Sequence, residues 1–225
     1  MSETKAATTK DRILDAAELL FAQQGIAETS LRDITTAAGA NLAAVNYHYQ
    51  SKDALIQAVF GRRIGPVNVQ RLKNLETLEA RAAGNPIPVE ELLRAFIEPM
   101  VHLLRRPAGS SAASLMGRAF VEPGNFFAGF FKQHLASTVG RFIAVLRRSL
   151  PDASETDLYW SFVFAIGAVG HTVAGLHKIK VVSGGLCDTS DVDALLNRLV
   201  AFIAGGFRTP VHTPAKGDPT CTGSH

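Results

Sequence analysis

The sequence has 225 residues, of which 47% are hydrophobic and 19% are charged, and its formal net charge is +3 at pH 7. This length allows one sizeable globular unit or two small ones with a real core, and the composition excludes a largely disordered chain. A net charge this small does not by itself establish a role in binding nucleic acid or a membrane.

The cysteines and the N-terminal residues bear on the compartment. Cys187 and Cys221 are far apart in the sequence, so we expect two free thiols in a reducing environment. The first residues, MSETKAATTKDR, are polar and lack the apolar core of a secretory signal. The sequence therefore predicts a cytoplasmic protein. Without metal-spaced Cys and His residues or a phosphate loop, we expect no metal and no cofactor.

Apolar residues recur with a period of 3.6 almost throughout, and no segment shows convincing alternation with a period of two. This pattern predicts an all-α fold. A long helix is predicted to start at Lys52 and to end before a loop at 81–88. The other helices are predicted, in chain order, over residues 10–24, 31–38, 42–49, 89–106, 111–122, 125–149, 154–180 and 191–207.

Local signals define where the first helices begin and end. Thr9 is the predicted N-cap of the first helix, and Gly25 is its predicted left-handed stop. Thr29 or Ser30 is expected to cap the second helix. Gly65-Pro66 is expected to interrupt and bend the long helix, because proline lacks a backbone donor.

These elements divide the chain into three parts. Residues 1–50 form a small three-helix head, with an N-terminal arm at 1–9. Residues 51–208 form a larger and more apolar helical body. The tail, 209–225, is rich in Pro, Thr and Gly, and it is predicted to be disordered.

One stretch raises the alternative of a membrane protein. Residues 158–176, LYWSFVFAIGAVGHTVAGL, are nearly free of charge and approach the length of a spanning helix. Polar residues lie within the stretch, Asp157 and Lys178 bound it, and no second span exists. We therefore expect a helix buried in a core or a subunit interface, and no membrane association.

Residues 31–49 have the pattern of a helix-turn-helix. Ile34 and Ala38 give its first helix an inward stripe, and Gly39 stands where that helix must end in a left-handed residue. Asn41 can cap the next helix, in which Val45 and Tyr49 fall on one face and are expected to pack inward.

The other faces of this helix carry small, amide and polar side chains, which suit a DNA major groove. Asn46 could pair with adenine, the small residues could touch a thymine methyl, and the polar tips could meet phosphate oxygens. The candidate DNA-binding residues are Thr29, Ser30, Asn41, Leu42, Ala43, Ala44, Asn46, Tyr47, His48 and Lys52.

Taken alone, this helix pair leaves the function open. A glycine turn between short helices occurs in many helical proteins, His48 alone suits a surface site, and Tyr47 alone suits packing. Residues 1–60 carry five basic and seven acidic side chains, a balance of −2. Binding to DNA would therefore depend on a few well-placed groups.

Residues 13–60, ILDAAELLFAQQGIAETSLRDITTAAGANLAAVNYHYQSKDALIQAVF, resemble the N-terminal domain of TetR-family transcriptional regulators. The family pattern has ILDAAxxLFxxxG, then TSxxxIxxxAG, then a recognition helix ending in Tyr-x-His-Phe or Tyr-Tyr-His-Phe before Ser-Lys-Glu. Tyr49 and Asp53 are mild departures from it. Asn46 stands where many members carry tyrosine and Ala43 where they often carry glycine, which bears on the operator sequence.

The resemblance implies a TetR-like fold and a repressor that leaves a palindromic operator in double-stranded DNA when a small apolar ligand binds. It implies a homodimer whose four-helix interface comes from 154–180 and 191–207 of each subunit. Small residues would permit close approach along the first helix, and apolar residues would line the second. The residues are Gly167, Ala168, Gly170, Ala174, Gly175, Leu195, Leu199, Phe202 and Ile203.

A narrower resemblance, through NLAAVNYHY, SKDALIQAVF and Gly65-Pro66, is to the fatty-acid-responsive PsrA-type repressors. It implies a fatty acid or acyl compound as the effector. The middle helices carry many Phe and Met residues, each of which alone suits core packing but which as a group suit an apolar cavity. The candidate ligand-binding residues are Phe96, Met100, Met116, Arg118, Phe120, Phe127, Phe130, Phe131 and His134, with Arg118, His102 and His134 as possible anchors for a carboxylate.

One further function class is possible for an apolar cavity in an all-helical body. An enzyme or a carrier could act on an apolar ligand there. The sequence contains no nucleophile elbow, no HExxH and no phosphate loop, and its seven histidines are scattered. The prediction is therefore a regulator and not an enzyme.

Overall fold

A computed structural model describes residues 8–102, 115 and 126–209 of the chain. Within these residues all regular structure is helical, which confirms the predicted fold class. The elements are α1 (Thr9–Gln24), α2 (Leu31–Ala38), α3 (Leu42–Tyr49), α4 (Lys52–Ala82), α5 (Val89–Val101), α6 (Phe126–Phe130), a π-helical segment (Phe131–Leu135), α7 (Ala136–Ser149), α8 (Glu155–Ala174), α9 (Leu176–Val182) and α10 (Val192–Arg208).

Short polar side chains define the starts of the head helices. Ser30 caps α2 and Asn41 caps α3, and Gly39 ends α2 in the left-handed conformation, with φ 57° and ψ 42°. The prediction that Thr9 caps α1 is wrong by one residue. Thr8 is the N-cap, and it forms a reciprocal capping box with Asp11. Gly25 has φ 99° and ψ 163°, so it ends α1 with positive φ but outside the left-handed helical region.

The long helix α4 joins the head to the body without a break. The prediction that Gly65-Pro66 interrupts it is wrong, since α4 continues from Lys52 to Ala82 through Pro66. The ring of Pro66 faces solvent, whereas Ile64 and Val67 on either side are buried. Burial of one continuous face across the proline offsets the missing backbone hydrogen bond.

Two of the predicted body helices contain breaks that their patterns did not indicate. The segment predicted as 125–149 contains the π-helical turn at Phe131–Leu135. The segment predicted as 154–180 divides at Gly175, where a Cβ atom would lie 2.9 Å from the carbonyl oxygen of His171. Apart from Leu115, which is helical and buried, the helix predicted over 111–122 lies outside the described residues, as does the tail beyond 209.

The body packs around α5, which contacts both α4 and α10. In the head, α1 packs on α2 and on α4. A continuous core runs through both parts, from Ile13 in α1 to Phe207 in α10. Among the described residues, no helix combines the length and apolar character that a membrane span requires. The apolar run of 158–176 instead forms α8 and the break that follows it.

Candidate nucleic-acid interface and apolar cavity

Helix α3 has one buried and one exposed face. Val45 is fully buried and Tyr49 is 6% exposed, which confirms that both pack inward. The hydroxyl of Tyr49 donates a 3.0 Å hydrogen bond to the carbonyl oxygen of Lys10 in α1. Burial raises the pKa of the Tyr49 hydroxyl, so it stays a neutral donor at physiological pH. These contacts fix the orientation of α3 about its own axis.

The outer face of α3 is a cluster of the predicted contact residues. Tyr47 is 83% exposed, and its ring meets that of His48 edge to face at 5.0 Å between centroids. Ala44 and His48 are half-buried, so they lie at the margin of this face. We name the exposed set the α3 outer face, and it consists of Asn41, Leu42, Ala43, Asn46 and Tyr47.

Around α3, three of the proposed phosphate contacts are already hydrogen-bonded within the chain. Thr29 is fully buried and its hydroxyl donates to the carbonyl oxygen of Gly25 at 2.6 Å, so the expectation that it offers this hydroxyl to a phosphate is wrong. Ser30 is exposed, but its hydroxyl donates to the Asp33 carboxylate at 2.6 Å. The Lys52 ammonium group donates to the carbonyl oxygen of Ile26 at 2.8 Å and is half-buried.

The structure adds one cation that the sequence pattern did not indicate. Arg12 in α1 is exposed, and its guanidinium lies beside the α2–α3 turn, 3.6 Å from where a Cβ atom of Gly39 would be. Only the packing of α1 across the helix pair brings this side chain next to a residue 27 positions away in the sequence.

The head is tied to α4 by a compact group of charges. Arg62 Nη1 lies 2.6 Å from Asp15 Oδ1, and Arg62 also pairs with Glu18. Arg63 Nε donates to Glu18 Oε1 at 2.6 Å. Glu18 is buried, and two arginines on successive positions of α4 compensate its charge. These ion pairs therefore connect this part of α4 directly to α1.

Within the body, a narrow cavity lies between α4, α5, α8 and the segment around Phe130. Three predicted ligand-binding residues, Phe96, Met100 and Phe130, line it. The other lining residues, which the sequence reasoning did not single out, are Ile64, Arg71, Leu135, Ile166, Val169, Gly170 and Val173.

The remaining predicted ligand-binding residues do not line this cavity or cannot be placed. Phe131 and His134 are half-buried on the π segment, and neither is in the lining. His102 Nε2 lies 3.7 Å from Glu98 Oε1, and His102 is not in the lining of the cavity. Met116, Arg118 and Phe120 lie outside the described residues, as does the side chain of Phe127.

Arg71 is the residue of the cavity that sequence reasoning missed. It is 3% exposed, and Nε donates to the carbonyl oxygen of Phe96 at 2.7 Å while Nη1 donates to Asn68 Oδ1 at 3.0 Å. Its guanidinium carbon lies 3.7 Å from the centre of the Phe96 ring. Burial lowers the pKa of Arg71 to about 9, which leaves the side chain charged at neutral pH.

The π segment lies against α4 beside the cavity. Asn68 Nδ2 donates to the carbonyl oxygen of His134 at 2.5 Å, and the His134 ring lies over Gly61. Burial lowers the pKa of His134, so the imidazole is neutral near pH 7. Single π turns inside α-helices are frequent at functional sites, and this one begins directly after Phe130 and ends at Leu135, both of which line the cavity.

A second apolar feature is an exposed face on α8 and α10. Trp160, Val163, Phe164 and Phe202 have more than half of their surface exposed, and a groove runs between the two helices beside them. We name these four residues the α8–α10 face.

Several predicted interface residues face inward and lie outside this face. Leu199 and Ile203 are buried in the core of the same chain, and Leu195 packs partly against that core. Gly170 lines the internal cavity, and Gly175 is buried at the end of α8. Within the chain, Leu199, Gly170 and Gly175 are thus packing positions, whereas Ile203 also lines the groove between α8 and α10, and its place in the interface stays a prediction. Gly167 and Phe202 are exposed, Ala168 is half-buried, and the side chain of Ala174 is outside the described part of the chain.

Two family models match the chain. The model described as "Bacterial regulatory proteins, tetR family" matches residues 13–59, which cover α1 to α3 and the start of α4. The model described as "Tetracyclin repressor-like, C-terminal domain" matches residues 94–206, which make up half of the chain. Both the head and the body therefore have counterparts in one family.

Proteins of similar sequence are also named as transcriptional regulators. The chain is 35% identical over 175 residues to the HTH-type transcriptional regulator SrpR of Pseudomonas putida, which covers 76% of this chain and 75% of that protein. It is 34% identical over 106 residues to the HTH-type transcriptional regulator AcrR of Shigella flexneri, covering 47% of each. The match to the probable regulator YttP of Bacillus subtilis spans 24% of that protein. Several relatives are thus matched over half their length or less.

Solved structures share the fold. The fatty acid degradation regulator FadR from Bacillus halodurans aligns with a TM-score of 0.61 at 16% identity, covering 91% of this chain and 99% of that one. A tetR family regulator from Shewanella sp. PV-4 aligns with a TM-score of 0.62 at 14% identity, covering 86% and 96%. At these identities the likeness concerns the fold alone.

Proposed function

This chain belongs to the TetR family of transcriptional regulators, and we propose that it acts in the cytoplasm as a homodimeric, DNA-binding repressor that a small apolar ligand releases from a palindromic operator. The family consists of regulators and not of enzymes, so the alternative of an all-helical enzyme or carrier is set aside. The match of head and body to two models of one family also confirms the predicted TetR-like fold. The narrower PsrA-type character stays a prediction.

The observation that carries the proposal is the orientation of α3. Val45 and Tyr49 anchor it inward, so the α3 outer face points to solvent with two small or apolar side chains, two amides and one phenol. A short helix with this surface can enter a major groove, where Asn46 can read adenine and Leu42 or Ala43 can contact a thymine methyl. Tyr47 and Arg12 are exposed beside this face and are the proposed contacts to phosphate oxygens.

Dimer formation is supported by the α8–α10 face. Large apolar side chains exposed together on two adjacent helices are costly in water and mark an interaction surface. A second copy would cover this face by the same residues, as in two-fold symmetric dimers. Two heads held in this way can meet two half-sites about one helical turn apart, which single recognition helices rarely bind tightly enough alone.

Helix α4 connects the cavity to the head, and this connection would allow a ligand to release the protein from DNA. The cavity is narrow, so a ligand would have to widen it by moving its walls. One wall is α4, which carries Arg71 at the cavity and Arg62 and Arg63 at the head. A ligand that prefers the widened state shifts the population toward heads spaced wrongly for the operator.

Binding of the full chain to promoter DNA tests this function. Fluorescence anisotropy would compare duplexes from the region next to its own gene with shuffled duplexes of equal composition, between about 50 and 200 mM salt. We expect saturable binding to a palindromic duplex that weakens as salt rises. A lack of preference for any natural duplex, or binding that ignores salt, would refute the proposal, and a promoter reporter would separate repression from activation.

A further inference from the structure

We propose that Arg71 is the counter-ion for the ligand, and that the effector is therefore an apolar molecule carrying one carboxylate. The inference rests on the proposed function in one respect, that the cavity beside Arg71 is where the effector binds. It concerns the chemical class of the ligand, which the family relationship leaves open.

Among the described residues, Arg71 is a buried charge without an opposite charge beside it. Its hydrogen-bond acceptors are the carbonyl oxygen of Phe96 and the amide oxygen of Asn68, both neutral, and no carboxylate of the described residues contacts it. Seven of the described arginines, all far more exposed, pair with Asp or Glu, namely Arg62, Arg63, Arg81, Arg141, Arg147, Arg148 and Arg208. Leaving the buried guanidinium of Arg71 without an opposite charge costs free energy, which a bound anion would recover.

A purely structural role does not account for the charge. Arg71 donates to the carbonyl oxygen of Phe96, whereas the carbonyl oxygen that Pro99 leaves without its helical donor is that of Ala95, four residues before the proline. One turn further along α4, the neutral side-chain amide of Asn74 donates a hydrogen bond to the carbonyl oxygen of Ala95, with 3.4 Å between the nitrogen and the oxygen. A neutral donor is thus sufficient for this task, and a cation is needed only where an anion arrives.

The rest of the cavity defines the other end of the ligand. Apart from Arg71, every lining side chain among the described residues is a hydrocarbon or a thioether, so the cavity favours an apolar body over a polar one. The Phe96 ring lies under the guanidinium and restricts its plane. A carboxylate matches the planar donor fork and neutralises its single charge, whereas a doubly charged phosphate would leave excess negative charge in an apolar site.

The position of Arg71 also connects ligand binding to the head. Arg71, Asn68 and the carbonyl oxygen of His134 form a chain of hydrogen bonds from the cavity to the π segment. A carboxylate that draws the guanidinium would act on both ends of this chain. Arg62 and Arg63, which contact the head, lie on the same helix as Arg71. A displacement of Arg71 by the ligand would therefore act on the helix that holds the head.

Titration calorimetry on the full-chain protein without DNA tests the inference. The probes are decanoate, 1-decanol and decyltrimethylammonium, which share a hydrocarbon chain and differ in the charge of the head. We expect decanoate to bind at least about tenfold more tightly than decanol, and the cation to bind more weakly than either. Arg71→Gln should remove this preference while changing the affinity for decanol by no more than about threefold. Arg141→Gln, a change at an exposed arginine on α7, should leave the preference intact.

The outcomes separate cleanly. Equal binding of decanoate and decanol by the unmodified protein, absence of decanoate binding, or an undiminished preference in folded Arg71→Gln would each overturn the inference. The comparison of probes on the unmodified protein decides the matter even if Arg71→Gln fails to fold. Failure of the chain to bind any operator would refute the proposed function, but would leave a measured, Arg71-dependent preference for carboxylates standing.

Discussion

The side-chain amide of Asn68, in the middle of α4, donates a 2.5 Å hydrogen bond to the backbone carbonyl oxygen of His134 in the π segment. The same side chain accepts from Arg71 through its oxygen. One buried residue therefore joins the helix that carries the head to the irregular segment beside the cavity.

Replacing Asn68 by alanine should destabilise the protein. The carbonyl oxygen of His134 and one donor of Arg71 would lose their partner in a buried setting, which costs about 1–3 kcal/mol in the free energy of unfolding. Urea denaturation at one fixed protein concentration measures this as a lower midpoint with an unchanged slope. Gln70→Ala, which removes only an exposed hydrogen bond to Asn74, should change the free energy by less than about 0.5 kcal/mol. Equal effects of the two changes would contradict the role assigned to Asn68.

Two glycines on α4, four residues apart, should respond in opposite ways to alanine. A Cβ atom at Gly61 would lie 2.7 Å from Cε1 of His134, whereas nothing lies within 4 Å of one at Gly65. Gly65→Ala should therefore raise the free energy of unfolding by about 0.4–1 kcal/mol, because alanine favours the helix. Gly61→Ala should lower it by about 1–3 kcal/mol through overpacking against the ring.

A double-mutant cycle supplies the control for this pair. In a His134→Ala background the ring is absent, and Gly61→Ala should then stabilise as Gly65→Ala does. If Gly61→Ala remained destabilising without the ring, the contact between position 61 and the π segment would not be its cause.

A charge placed on the α8–α10 face should dissociate the proposed dimer. Phe164 is 66% exposed in the single chain, and Phe164→Glu would bring two carboxylates into an apolar interface. Sedimentation velocity at micromolar concentration should show a monomer with unchanged helical content. Val69→Glu, at a similarly exposed apolar position on α4, should leave the dimer intact. A Phe164→Glu protein that sediments as the parent protein does would place the interface elsewhere.

The head could be predicted closely from the sequence because its signals are local. Ser30, Asn41 and Gly39 act on backbone atoms within a few residues, so α2 and α3 begin and end where the pattern indicates. The prediction for Thr29 failed because Ser30 takes the cap, which leaves Thr29 to turn inward to the carbonyl oxygen of Gly25.

The cavity was harder to predict because it depends on contacts between distant segments. Arginine on a helix ordinarily faces water, and no local pattern indicates that Arg71 is buried against Phe96, 25 residues later. The π turn likewise has no sequence signal, since Phe131–Leu135 suits an α-helix equally well. The apolar content of the middle helices predicted a cavity, and Phe96, Met100 and Phe130 do line it. The same content did not indicate which cation faces the cavity.

Two neighbouring exposed residues of α3, Asn46 and Tyr47, are expected to contribute to DNA binding in different ways. Asn46 can form a bidentate pair with one adenine, so Asn46→Ala should cost about 1–3 kcal/mol of binding, and mainly at one base position of the operator. In the proposed complex Tyr47 contacts a phosphate oxygen, so Tyr47→Ala should weaken binding to all duplexes alike. Both side chains are exposed, so neither change should affect stability, which denaturation can verify.

Anisotropy titrations against duplexes with single base-pair changes distinguish the two effects. With Asn46→Ala, one substituted duplex should bind as well as the parent operator, because the lost contact no longer discriminates there. With Tyr47→Ala, the ranking of duplexes should stay the same while all affinities fall. Glu28→Ala, at an exposed position before α2, serves as a matched surface change expected to preserve that ranking. If Asn46→Ala lowered all affinities equally, α3 would contact only the sugar-phosphate backbone, and sequence reading would have to come from another part of the head.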